Sequence, residues 1–192
     1  EPLARAADPD ASVFVEAAET YRVLGREADA DAAIARAAEL GDLWAVTEQG
    51  AAALRAGDGD TASRLLRTAA AEDWSPAMLY LANAEDDPAE RLAWLRRAKA
   101  LDHELAAYLL GVELIQQGHR ADGIVVLEAA AGQGDANALD YLGDIAQEDG
   151  DEDRAIELWR AAVEGGNIDA MASLAFALPE SEEEETLRLL VT

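Results

Sequence analysis

The chain has no cysteine among its 192 residues. A disulfide, a thiolate metal ligand and a cysteine nucleophile are therefore excluded. Its two histidines, His103 and His119, flank one expected helix. At a helical rise of about 1.5 Å per residue they stand roughly 22–24 Å apart, too far to share a metal or a proton relay. No apolar run reaches the length of a membrane-spanning helix, and no signal-peptide pattern is visible. The His-Glu-x-x-His, Gly-x-Ser-x-Gly and P-loop patterns are all missing. Bases are scarce: 15 against 40 acids, for a net charge of −25, with Lys99 the single lysine. Such a surface repels nucleic-acid phosphates and anionic lipid and draws in basic partners. Acidic excess also serves solubility. Carboxylate pairs are so common here that none stands out as a general acid and base.

One acidic stretch imitates a cation loop. Asp149, Asp151 and Asp153 have the alternate spacing of calcium ligands. Such a loop also needs glycine sixth and glutamate twelfth, and those places hold Arg154 and Arg160. Asp58 and Asp60 fare no better. These acids read as solvated turns with helix-capping carboxylates. The sequence leads us to expect no catalytic residue, no metal and no cofactor.

What the chain does have is a repeat. Ala37, Ala69, Ala98, Ala130 and Ala162 lie 32, 29, 32 and 32 residues apart. Three positions before each stands a large apolar residue: Ile34, Leu66, Leu95, Leu127 and Trp159. Ala18, Gly50, Ala82, Gly111, Gly143 and Ala175 form a second small column. Ala45, Ala77, Ala106, Ala138 and Ala170 form a third. Self-similarity at this period marks a solenoid of supersecondary units. Each unit reads as two amphipathic helices with apolar residues at helical spacing. Gly25, Gly57, Gly118 and Gly150 fall in the turns, where a left-handed residue is needed. Asp42, Asp135 and Asn167 stand where N-caps belong. Trp74 and His103 occupy that register in the other units, with Ser75-Pro76 and Asp102 beside them as the expected caps. The third unit is three residues short, and its deletion falls in the turn Asn83–Pro88. There Asp87 is expected to cap, Pro88 to open the helix, and Glu90 to complete a capping box.

These columns resemble the tetratricopeptide repeat. In that pattern a Leu-Gly pair on the first helix is followed 12 residues later by a small residue on the second. Leu110-Gly111 and Leu142-Gly143 are such pairs, and Gly50, Gly111 and Gly143 are answered by Ala62, Gly123 and Ala155. The inter-unit tails Gly41-Asp42, Gly134-Asp135 and Gly166-Asn167 look like the Sel1-like branch. The tetratricopeptide proline between units is missing, and the period is slightly short. The resemblance implies an all-α, right-handed superhelical α-solenoid of helix-turn-helix repeats. It covers residues 11–192. Residues 1–10 read as a lead-in. Residues 11–178 read as five hairpins plus the first helix of a sixth. Residues 179–192 read as the start of its second helix, with a capping box at Ser181 and Glu184 and packing residues Leu187 and Leu190. Because the chain begins at Glu1 rather than Met and stops within a unit, a piece of a longer protein is expected.

For function the resemblance implies a protein- or peptide-binding superhelix whose first helices line a concave groove. Carried onto this register, the groove positions are Trp44, Thr47, Leu79, Asn83, Leu105, Tyr108, Val112, Asn137, Asp140 and Asp144, with Ser12, Val15, Pro76, Glu19 and Ala51 in the same columns. An apolar floor with acidic ends suits a basic or amphipathic peptide anchored by aromatics. Trp44 and Tyr108 are expected to face solvent, whereas Leu79, Leu105 and Val112 have packing between units as their alternative. The leading expectation is a non-catalytic adaptor, cytoplasmic, binding neither nucleic acid nor membrane. The alternative is a regulatory or sensor domain of a larger signalling protein or enzyme, contacting other domains of its own chain. A weaker third is a mimic of nucleic acid.

Overall fold

The computed structural model describes residues 10–178. The lead-in before Asp10 and the expected helix after Leu178, with its Ser181–Glu184 box, lie outside the described residues. Among those described there are eleven α-helices and no strand. The chain divides into two compact units, Glu1–Leu101 and Asp102–Thr192.

The first unit holds three helical hairpins: α1 (Ala11–Val23) with α2 (Glu27–Glu39), α3 (Leu43–Arg55) with α4 (Gly59–Ala71), and α5 (Ser75–Ala84) with α6 (Pro88–Ala100). The second holds α7 (Ala106–Gln116) with α8 (Arg120–Ala131), α9 (Ala136–Glu148) with α10 (Glu152–Glu164), and then α11 (Asp169–Ala177). The fold is all-α, a tandem array of helical hairpins.

The three columns account for the packing. Ala45, Ala77, Ala106, Ala138 and Ala170 are all at 0 % exposure. The second column is the seat of the large residue three positions before the packing alanine. A Cβ on Gly50 would lie 2.7 Å from Cγ of Leu66, one on Gly111 2.6 Å from Cγ of Leu127, and one on Gly143 2.6 Å from Nε1 of Trp159. Each of these large side chains is buried, contributing about 1.5–3 kcal/mol by removal from water. Alanine-rich helices thus gain stability from backbone proximity as well as side-chain bulk. In the α7–α8 hairpin the backbones approach closely, since a Cβ on Gly123 would sit 2.6 Å from the carbonyl oxygen of Gly111.

The ends of the helices follow the expected chemistry with three corrections, the first being Ser75, which is the first residue of α5 after the N-cap Trp74 and makes no capping bond. Asp42 accepts from the amide of Ala45, Asp135 from those of Asn137 and Ala138, and Asn167 from that of Ala170. Asp87 accepts from the amide of Ala89 and Pro88 opens α6. The capping box there is not closed by Glu90: the Asp87 amide donates to Glu85 at 3.5 Å, and Glu90 pairs with Arg67. Asp102 is not a cap either. It has φ 55, and Asp73 has φ 58. They occupy the left-handed place that Gly41, Gly134 and Gly166 fill in the other units. Nδ1 of His103 accepts from the amide of Leu105 at 3.3 Å in the turn before α7, whose N-cap is Leu105 with no side-chain capping bond.

Candidate functional site

The ten expected groove residues fall four in the first unit and six in the second, and the two sets are built differently. In the first unit Trp44 is half-buried against a cluster containing Ala18, Ile34 and Ala37. The guanidinium of Arg22 lies 5.6 Å from its ring centroid and also pairs with Glu48. One face of the indole is therefore packed and another covered by a cation, so it does not stand open to solvent. Thr47 is 3 % exposed. Its hydroxyl donates to the carbonyl of Leu43 at 2.7 Å, satisfying the polar atom within its own helix. Leu79 is half-buried and Asn83 is exposed.

In the second unit the residues converge. Tyr108 on α7 and Tyr141 on α9 meet edge to face, centroids 6.3 Å apart at 76°. This geometry suits two ring quadrupoles. Tyr108 is half-buried, not open as its amphipathic ring suggested. Asn137 accepts a hydrogen bond from Nδ2 of Asn167 at 3.2 Å, tying α9 to the start of α11. Asp144 accepts from the indole N–H of the buried Trp159 at 3.3 Å. Asp140 stands one helical turn before Asp144. Its Oδ1 is buried and has no hydrogen-bond partner. Leu105 lies at the mouth of α7, 39 % exposed, and Val112 is half-buried further along it.

Electrostatics sharpen the contrast. Burial, reinforced by Asp144 and Asp169, pushes the Asp140 carboxyl up to about 6. Burial also raises Asp144, against the lowering effect of the Trp159 hydrogen bond. The Tyr108 hydroxyl is raised by burial and then by Asp140, Tyr141, Asp135 and Asp144. Tyr108, Tyr141, Asp135, Asp140, Asp144 and Asp169 thus share one negative field from three helices. A cation entering it regains the charge interaction that Asp140 lacks. Sequence reasoning placed Tyr108, Asn137, Asp140 and Asp144 here. It missed Tyr141 and Asp169, and it read Asn167 only as a cap.

The turn acids have structural duties. Asp149 accepts from Arg120 at 2.8 Å, Asp151 caps α10 and Asp58 caps α4. Among the described residues no group of three or more His, Cys, Asp or Glu is placed to hold a metal. No described helix is long and apolar enough to cross a membrane.

No family model and no curated protein matches the sequence. Solved structures do. A Sel1 repeat protein from Oxalobacter formigenes superposes with a TM-score of 0.78 at 17% identity, over 97% of this chain and 88% of that one. The fold is a tetratricopeptide/Sel1-like repeat. A thermophilic tetratricopeptide protein of Thermus thermophilus matches with a TM-score of 0.60 at 18% identity, covering 87% of this chain and 98% of that chain. PilW, a type IV pilus biogenesis factor, matches with 0.65 at 17% identity, covering 95% and 91%. In this tetratricopeptide/Sel1-like array the shared columns supply the frame, and the side chains of the first helices supply what differs between repeats.

Proposed function

We propose that this chain is a non-catalytic adaptor that binds a protein or peptide, and that the first-helix face of its second unit takes a basic segment. The observation that carries this reading is Asp140: a half-buried carboxylate with an unpartnered oxygen, beside Asp144 and Asp169 and next to two tyrosines. An arginine or lysine head would complete its hydrogen bonding, while Tyr108 and Tyr141 offer ring surface to the aliphatic stem. PilW, named as a pilus biogenesis factor, and the other repeat proteins supply the fold-level support, since helical-repeat arrays present extended binding surfaces.

The test uses labelled peptides of one amphipathic sequence carrying arginine, glutamine or glutamate at the polar positions. Wild type is expected to bind the arginine peptide in preference to the other two. Asp140→Asn and Tyr108→Ala are each expected to weaken that binding about tenfold, the loss of one charge-assisted hydrogen bond or one ring contact. If both variants keep full affinity for the arginine peptide, the face is wrongly assigned.

A further inference from the structure

The chain is acidic almost throughout, and two neighbouring helices are the exception. Among the described helices only α4 and α6 carry more bases than acids. They hold Arg64, Arg67, Arg91, Arg96, Arg97 and Lys99 against Asp60 and Glu90. The two helices lie side by side. The Arg67 guanidinium of α4 sits 5.5 Å over the ring of Trp94 on α6, and its Nη2 is 3.7 Å from Glu90. Arg97 of α6 reaches back at 2.7 Å to Asp73, in the turn after α4. These contacts join both helices into one surface.

The buried stripes turn the charges outward. In α4 the stripe is Ala62, Leu66 and Ala69, and Arg64, two residues before Leu66, stands on the opposite side. In α6 the stripe is Leu92, Leu95 and Ala98, with Arg96 and Arg97 turned away from it. Three of the six bases have partners within the unit: Arg67 with Glu85 and Glu90, Arg91 with the carbonyl of Glu85, and Arg97 with Asp73. Arg64, Arg96 and Lys99 are exposed and form no ion pair among the described residues. The helix dipole accounts for Arg97 and Lys99 in the last turn of α6. It does not account for Arg64 in the middle of α4, nor for Arg96. Solubility is served as well by the acids that cover the other helices.

Charge selects the occupant. A guanidinium fork takes a carboxylate through two N–H groups. A long phosphate polymer is disfavoured, because no other described helix attracts it beyond this patch. A second copy would bring one net charge of −25 against another. A short segment with a few carboxylates spends all its charge within the patch. We infer that the joined face of α4 and α6 docks a short acidic segment of a partner protein, with Arg64 and Arg96 binding its carboxylates. This face lies in the first unit and takes the opposite charge to the face proposed in the second, so either assignment can fail alone.

The experiment is fluorescence anisotropy of the full chain at about 50 mM salt, where surface charges are weakly screened. The probes are a labelled glutamate-rich peptide, its glutamine counterpart and a short single-stranded oligonucleotide. Saturable binding of the glutamate peptide is expected, at least about tenfold tighter than that of the glutamine peptide. Arg64→Gln combined with Arg96→Gln should weaken it about tenfold. Arg36→Gln combined with Arg154→Gln removes the same charge from exposed positions elsewhere and should leave it unchanged. An equal loss in that second pair assigns the binding to net charge and overturns the inference. So does a glutamate peptide that fails to bind, or an oligonucleotide that binds more tightly. Dimers in sedimentation that the Arg64 and Arg96 substitutions dissolve give the face to a second copy and overturn it too.

Discussion

The two units share one packing scheme and differ in how they treat charge. Residues 1–101 carry 11 bases against 19 acids, while residues 102–192 carry 4 against 21. In the first unit arginines tie elements together: Arg22 of α1 to Glu48 of α3, Arg67 of α4 to Glu85 and Glu90, and Arg97 of α6 to Asp73. Its indole Trp44 lies under one of them. The second unit offers few bases, and the acids of α9 and α11 face one another with a buried carboxylate oxygen left unpartnered. Surface ion pairs are individually weak, about 0–1 kcal/mol, so this difference changes stability little. It changes the surface: in the first unit arginines offset part of the acidic charge, whereas in the second Asp140 keeps a buried carboxylate oxygen without a hydrogen-bond partner.

The comparison can be broken first at the core, where the units are expected to differ in degree only. Trp159→Ala removes a side chain at 1 % exposure and its bond to Asp144. A loss of about 3–5 kcal/mol is expected. Leu66→Ala, at the same register in the first unit and 0 % exposed, should cost about 2–5 kcal/mol. Urea unfolding followed by residue-resolved amide exchange separates the units. If Trp159→Ala loosens the first unit as much as the second, the two do not unfold as separate bodies.

A smaller effect distinguishes hairpins of the same design. Gly123→Ala puts a Cβ 2.6 Å from the Gly111 carbonyl, a backbone atom that cannot swing aside. Overpacking costs about 1–3 kcal/mol, offset by about 1 kcal/mol of helix propensity. A net loss of about 1–2 kcal/mol in the denaturation midpoint is expected. At the matching place in the first unit Ala62 is already present and fully buried, so the α3–α4 hairpin tolerates the methyl that α7–α8 excludes. A stabilised Gly123→Ala would mean that the helices separate at no cost.

Acid separates the units by sign. The Asp140 carboxyl is raised to about 6 in the folded chain from 3.8. The folded state therefore takes up the proton first, and stability rises as pH falls from about 6 toward 4. In the first unit Asp58 is held below its usual range, chiefly by the hydroxyl and amide of Thr61. Its contribution is present above 3.8 and is lost as pH falls through its folded value. Amide protection measured between pH 7 and 4 should rise in α9 and stay level in α4. Asp140→Asn should shrink the rise in α9 to the part that the buried Asp144 contributes. A rise of undiminished size after this substitution assigns it to another group.

The columns were legible because repetition states them five times over and because burial of a small residue leaves no alternative position for it. Surface assignments had no such redundancy. Thr47 stands in a groove column by register, yet its hydroxyl can reach its own helix at Leu43, and that local bond lets it be buried. The Asp140 carboxyl is raised by burial, by Asp144 and by Asp169, the last on another helix about one repeat away in sequence. The bond from Trp159 to Asp144 joins a residue read for packing to one read for binding. Such meetings are set by helix rotation within a fraction of a turn, and periodicity alone does not fix it.

The smallest expected effect concerns a disguised glycine. The sequence shows Gly41, Gly134 and Gly166 between hairpins and places aspartate at the two equivalent points, of which Asp102 reads as a cap. The backbone shows otherwise: Asp73 and Asp102 carry the positive φ. A left-handed conformation costs an ordinary L-residue about 1–2 kcal/mol, less for aspartate, and glycine almost nothing. Glycine also has more freedom to lose on folding, which offsets part of the gain. Asp73 is a poor place to measure the balance because it also binds Arg97 at 2.7 Å. Asp102 is exposed and makes no such bond among the described residues. Asp102→Gly should therefore raise stability by about 0.5–1 kcal/mol, read as a higher denaturation midpoint at unchanged slope, while Asp73→Gly should gain less. If Asp102→Gly destabilises the chain, the carboxylate is holding a contact that outweighs the strain of its backbone.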